Sequence, residues 1–294
     1  MNAFTKIRRT PGTICLLTGI LFVLIFLLPA TGSKNHDLTI QSDPLTSQSP
    51  QQDQLRRGPF GSDPKIIINP ERVIELAQND QISLINWALQ VYQKRVRDYT
   101  ATVTKQERIN GKLKKTELIE VMFREKPFSL FMKWQQNAGK IDKLLYVEGQ
   151  NDNQMLVHPT GLFAGIKSVK KDPREKEIKQ ANLSTPDEFG FCRFMKSLLD
   201  VSQTAQKNGD LKTKYLGEKK VEGRRCLILE RTLPEKKQYP NARLVLEFDV
   251  EYLLPVSITC YDWRDNLLAR YAFKNLKFNV GLTPNKFHPN THDM

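Results

Sequence analysis

Five short runs in succession, each alternating in polarity and closed by a turn signal, hold a chain to antiparallel β structure, and residues 98–157 do this. The runs are Asp98 to Arg108, Thr116 to Arg124, Leu130 to Trp134, Leu144 to Val147 and Gln154 to Val157. Turns fall at Asn110-Gly111, at Asn137-Ala138-Gly139 and at Gly149. Asn-Gly is the strongest short hairpin signal, because both residues tolerate the positive φ that a tight turn needs. Tyr99, Ala101 and Val103 alternate with Thr100, Thr102 and Thr104, so one face is covered and the other is wetter. Leu130, Met132 and Trp134 alternate with Phe131 and Lys133, which leaves Phe131 as an apolar residue on the wetter side. Pro127 interrupts the pattern and marks an edge or bend.

A second β block follows, with runs at Leu211 to Gly217, Arg225 to Thr232, Leu244 to Val250, Pro255 to Trp263 and Leu267 to Phe278. Ahead of the first block, Asn69-Pro70-Glu71 is a helix start: a cap residue, proline at the first helical position, then an acid. Apolar residues recur at helical spacing from Val73 to Val96, with a break at Asn79-Asp80. Between the blocks, Thr185 caps and Pro186 opens a second helix that ends before Asn208-Gly209. His158 to Lys179 has no period and reads as an excursion over the end of the sheet, and loops of that length are usually functional or disordered. The polar tail from Gly281 closes the fold. About ten strands with these helices predict an α+β fold: a strongly curved antiparallel sheet covered by helices on its concave side, in one domain over residues 69–294.

Compartment is read from the start of the chain. Lys6, Arg8 and Arg9 precede the apolar run Ile14 to Leu28, and Pro29-Ala30-Thr31-Gly32-Ser33 follows. Residues 1–32 have the layout of a secretory signal cut after Gly32. The apolar run is about 15 residues, short of the roughly 20 that a spanning helix needs. An uncleaved anchor, with membrane association through residues 14–28, is the alternative. Both place the remainder in the periplasm or outside the cell. Residues 33–68 are rich in Gln, Ser, Pro and Asp and read as a disordered linker.

The formal charge is +13, but Lys and Arg are interspersed with Asp and Glu, so the basic balance reads as solvated surface and no nucleic-acid partner is expected. Beyond Cys15 there are Cys192, Cys226 and Cys260, with no C-x-x-C spacing, which argues against a zinc site or a thioredoxin-like motif. A Cys226–Cys260 bridge requires neighbouring strands; buried thiols are the alternative.

Several stretches carry a resemblance: Asp98-Tyr99-Thr100-Ala101, Lys105-Gln106-Glu107-Arg108, Asn110-Gly111-Lys112-Leu113, Arg124-Glu125-Lys126-Pro127-Phe128-Ser129, Tyr146-Val147-Glu148-Gly149-Gln150-Asn151, Leu254-Pro255-Val256, Tyr261-Asp262-Trp263 and Asn279-Val280-Gly281-Leu282-Thr283. With these the chain resembles an uncharacterised bacterial envelope family seen largely in planctomycete-type genomes, over roughly Pro70 to Phe287. That family is distantly similar to the LolA/LolB-like outer-membrane lipoprotein carriers. The similarity implies an unclosed half-barrel with an apolar cavity for acyl chains, and it brings no catalytic residue with it.

No catalytic motif emerges from the residues themselves. Neither a nucleophile elbow nor a phosphate-cradling glycine loop occurs, and no cofactor is expected. His288 and His292 in the tail lack metal-ligand spacing, and His158 reads as a turn residue before Pro159. Carboxylates at Glu107, Glu117, Glu120, Glu148, Asp152, Glu247, Asp249 and Asp262 read as wet-face residues; a hydrolase of envelope polymers requires two of them converging in a groove. Leu130, Met132, Trp134, Leu144, Tyr146, Leu246, Phe248, Ile258, Tyr271 and Phe273 line the concave side, either as packed core or as the wall of a ligand cavity. The leading expectation is a non-enzymatic envelope protein holding a lipid or lipoprotein acyl chain. The alternative is an interaction or sensor domain that binds another envelope protein, favoured by a filled core.

Overall fold

The computed structural model describes residues 68–294. The expected signal segment lies outside the described residues, as does the expected linker apart from Ile68, which packs against the core. Among the described residues no helix is long and apolar enough to cross a membrane.

Helix α1 (Pro70–Asn79) starts where the cap signal predicts: the Asn69 side chain accepts from the Glu71 amide at 2.9 Å. Asp80 then separates α1 from α2 (Gln81–Arg95). Its backbone N–H closes α1 on Leu76, while its carboxylate accepts from the Ser83 amide at 3.0 Å and the Ser83 hydroxyl at 2.6 Å. Those bonds, the hydroxyl's first, hold the Asp80 carboxyl below its ordinary range.

Twelve strands follow: β1 (Asp98–Ile109), β2 (Lys112–Leu113), β3 (Glu117–Arg124), β4 (Ser129–Gln136), β5 (Ile141–Val147), β6 (Met155–Pro159), β7 (Val169–Lys171), β8 (Lys212–Val221), β9 (Arg224–Thr232), β10 (Arg243–Asp249), β11 (Leu254–Tyr261) and β12 (Leu267–Phe278). They form one antiparallel sheet in the order β7-β6-β5-β4-β3-β1-β12-β11-β10-β9-β8, with β2 paired on β1. The ten expected strands are present, and β2 and β7 are added. Asn110 and Gly111 both take positive φ, as the β1–β2 hairpin requires. First and last strands meet at the centre through β1 and β12, and each meander runs outward to an open edge.

Between β7 and β8 the chain crosses from one edge to the other through α3 (Lys176–Ala181), a short 3₁₀ turn at Pro186–Glu188 and α4 (Phe191–Lys207). The expected cap at Thr185 belongs to that turn, with Glu188 completing a capping box, and Gly190 separates the turn from α4. α4 buries Phe191, Met195, Leu198, Leu199, Ser202 and Ala205, a stripe at helical spacing. Together with α2 it packs on the inner face, where one apolar cluster runs from Met155 on β6 to Leu229 on β9. A single cluster reaching both wings under two helices requires the sheet to curl around them, as twisted sheets of this width do.

On the opposite face an apolar cluster lies on β4–β6, with Met122 of β3 beside it. There Phe131, Leu145, Val147 and Leu156 are covered by Phe287 and Met294 of the tail, so the outward Phe131 has its partner. The tail is pinned where it leaves the sheet: the Gly281 and Leu282 amides donate to the buried Asp98 carboxylate, both at 3.2 Å. Cys226 and Cys260 lie on β9 and β11 with β10 between them, so they do not bridge, and both are thiols.

Candidate functional site

The ten inward residues fall on two wings of the inner face. On one wing, Leu130 is opposite Tyr146 and Met132 is opposite Leu144, with Trp134 further along β4. On the other, Leu246 is opposite Ile258, which is opposite Tyr271; Phe248 and Phe273 extend the rows. Leu130, Leu144, Tyr146, Leu246, Phe248, Ile258 and Phe273 are buried, and Met132, Trp134 and Tyr271 pack at the margin of the same cluster. The space between the wings is filled by aromatic rings. Phe191 from α4 lies 4.6 Å from Phe273, 5.4 Å from Tyr99 and 6.0 Å from Tyr92, centroid to centroid. These separations are those of ring packing in a solid core.

Two cavities under α4 measure about 30 and 20 Å³. The larger is lined by side chains of α2, α4 and β8–β10, and Leu246 is the one member of the ten that borders it; none borders the smaller. Ligand pockets ordinarily measure roughly 300–1,000 Å³, so these hold a few atoms and not an acyl chain.

Arg231 stands between the two cavities and lines both. It continues the inward parity of Leu227 and Leu229 along β9, and it is 6% exposed. One Nη donates to Ser202 Oγ at 3.4 Å and the other to Asn241 Oδ1 at 3.2 Å. Burial lowers its pKa to about 10, so it stays charged at neutral pH. Sequence parity held the signal for this residue, since it puts a charge in line with Leu227 and Leu229.

At the far end of the inner face the expected carboxylates Glu107 and Glu117 are both engaged. Glu107 is buried, accepts from Tyr271 Oη at 2.5 Å and lies 3.3 Å from Lys105 Nζ. Burial, then the Glu107 charge, pushes the Tyr271 phenol well above its ordinary pKa, so it stays a neutral donor. Glu117 accepts from Trp134 Nε1 at 2.6 Å. Glu247 pairs with Lys219, Asp249 with Arg224 at 2.6 Å, and Asp262 binds backbone amides of its own turn at Arg264 and Asn266. These are the bonds of structural carboxylates. His158, expected in a turn, lies in β6 with its Nδ1 within hydrogen-bond distance of Asp142 Oδ1 at 2.6 Å, and the His292 ring stacks on Phe131 at 3.6 Å. Among the described residues no group of three His, Cys, Asp or Glu side chains is placed to hold a metal.

Among the described residues, exposed large apolar side chains concentrate on the excursion after β6. Leu162 is fully exposed and Phe163 is 64% exposed, and Ile166 and Val169 are exposed as well. Among the described residues, four of the six exposed large apolar side chains thus fall within residues 162–169. Lys167, Lys170 and Lys171 accompany them; Lys170 lies 3.8 Å from Asp152, and Lys171 pairs with Glu175 at 3.0 Å and with Glu177 at 3.5 Å. A turn at Gly161–Phe163, opened by Gly161 at φ +67, sets the tip outward beyond the β6–β7 edge.

Known proteins give loose likenesses. An uncharacterized protein of Methanocaldococcus jannaschii is 29% identical over 140 residues, 47% of this chain and 36% of that protein, so the chain spans about a third of that relative's length. Among solved structures, a DUF1329 family protein from Desulfovibrio piger is 16% identical, covering 71% of this chain and 96% of that one at a TM-score of 0.38. The Pseudomonas aeruginosa MucA/MucB complex gives 15%, 71%, 60% and 0.42, and Mycobacterium tuberculosis lipoprotein LppX gives 12%, 70%, 100% and 0.41. Scores of this size say nothing of what this chain binds. The family described as "protein of unknown function (DUF1571)" matches residues 96–294, more than half of the chain, and the chain belongs to that family.

Proposed function

We propose that this chain is a non-enzymatic protein of the bacterial envelope that docks on an anionic lipid surface through residues 161–171. The observation that carries the reading is the joint exposure of Leu162, Phe163 and Ile166 beside three lysines. Inserting each large apolar side chain at an interface contributes about 1.5–3 kcal/mol, and each lysine near anionic headgroups about 1 kcal/mol, before ordering costs. A filled core supports a role exercised at the surface. The envelope placement, and the planctomycete-type source, rest on the basic and apolar start of the chain and on the motif resemblance.

An acyl chain held along the ten inward residues is the second reading, favoured by the single apolar cluster to which both wings belong. It requires α2 and α4 to withdraw from the sheet. Binding of another envelope protein to the same loop is the competing outcome.

Co-sedimentation with phosphatidylglycerol-containing vesicles separates these readings. The chain from Ser33 onward retains every described residue and is expected to pellet with the vesicles. A Leu162→Ser/Phe163→Ser variant is expected to lose about tenfold or more in affinity, since about 1.4 kcal/mol is tenfold. Unchanged binding by that variant overturns the loop's role.

A further inference from the structure

Arg231 is a buried cation in want of an anion. Among the described residues no carboxylate pairs with it, and its Nε has no acceptor. A second donor nearby is also unmatched: Asn241 is 1% exposed, its Oδ1 accepts from Arg231 and its Nδ2 has no partner. Both residues border the smaller cavity, and Arg231 borders the larger as well. Cys260, which also borders the smaller cavity, does not balance the charge, because burial pushes its thiol up to about 12 and keeps it neutral. Water satisfies orphaned donors but leaves the charge uncompensated, and uncompensated buried charge is costly.

We propose that Arg231 and Asn241 form a receptor for a carboxylate group, seated in the smaller cavity between α4 and strands β9–β11. Guanidinium and carboxylate match in a two-point fork, and the Asn241 amide supplies a further donor. The volume admits a carboxylate and little else. Its other walls are mostly apolar, from Phe194, Leu198, Val201 and Leu244, so the group enters either as a free small carboxylate or as the head of an acyl chain. This inference is independent of the lipid-surface reading and survives its failure.

Thermal unfolding of the full chain, at constant ionic strength, tests it with acetate and with octanoate below its micelle-forming range, against chloride. A ligand that binds the folded state alone raises the midpoint in a saturable way. Both carboxylates are expected to do so; equal effects identify a free small carboxylate, and a larger effect of octanoate identifies an acyl head. Arg231→Met is expected to cut the apparent affinity at least tenfold while melting no lower than the parent without ligand. Asn241→Asp supplies an internal carboxylate, and is expected to melt higher and to ignore added anions. Should Arg231→Met not fold, Asn241→Asp carries the test. A parent midpoint the same in carboxylate and chloride, or an undiminished response in either variant, overturns the proposal.

Discussion

Gly190 shows how one residue sets the geometry under which the core closes. It begins α4 with φ +111, a conformation that glycine adopts without strain. A Cβ there would lie 2.9 Å from Phe123 Cζ, in the middle of the aromatic cluster. Gly190→Ala combines backbone strain with a clash against a buried ring, and a loss of ~1–3 kcal/mol in urea-unfolding free energy is expected. A loss below ~0.5 kcal/mol would mean that Phe123 yields without cost. The local pattern runs a continuous helix through Gly190, because nothing in Phe189 to Phe194 betrays the ring facing it from β3. Arg231 was obscured for a related reason: strand parity shows that it points inward, but whether a counter-charge meets it is decided by residues distant in the chain.

At the scale of elements, most strands were legible because their turns are marked by Asn and Gly and their faces alternate. β7 was not: it has three residues, and it owes its strand geometry to β6 beside it. α3 escaped for the same reason, being six residues with none buried. The tail presents the opposite case, a polar segment whose docking depends on a few side chains. His292 stacks on Phe131, and Lys143 Nζ donates to the His292 carbonyl at 2.8 Å. Burial, helped by Lys143 and Lys286, lowers the His292 pKa below its ordinary 6.5, against a backbone hydrogen bond that raises it. A lowered folded-state pKa means that the unfolded chain binds the proton more readily. The contribution is therefore complete above about pH 6.5 and is lost as pH falls through the folded value. Hydrogen exchange of residues 281–294 is expected to quicken between about pH 7 and pH 5 relative to the intrinsic rate, and His292→Phe is expected to remove that dependence. Relative protection that rises on acidification would reverse the sign and exclude this cause.

For the whole molecule, the division of surfaces governs what the protein can do. The inner face is filled by two helices and a set of packed rings, the outer face of β4–β6 is covered by the tail, and the loop beyond the β6–β7 edge is left open. In the sequence this loop is irregular and long, and alternation along the strands marks the inward residues one by one. Whether the inward residues enclose a space is not legible there, because a cavity is the difference between the volume of the wall and the volume of what the helices insert. The most direct measurement is tryptophan fluorescence of Phe163→Trp, in the chain from Ser33 onward, mixed with phosphatidylglycerol vesicles carrying quencher-labelled acyl chains. A blue shift and quenching of the new tryptophan, with the emission of the parent's Trp87, Trp134 and Trp263 unchanged, is expected. An emission that stays red-shifted and unquenched while the protein pellets with the vesicles would contradict docking through the loop.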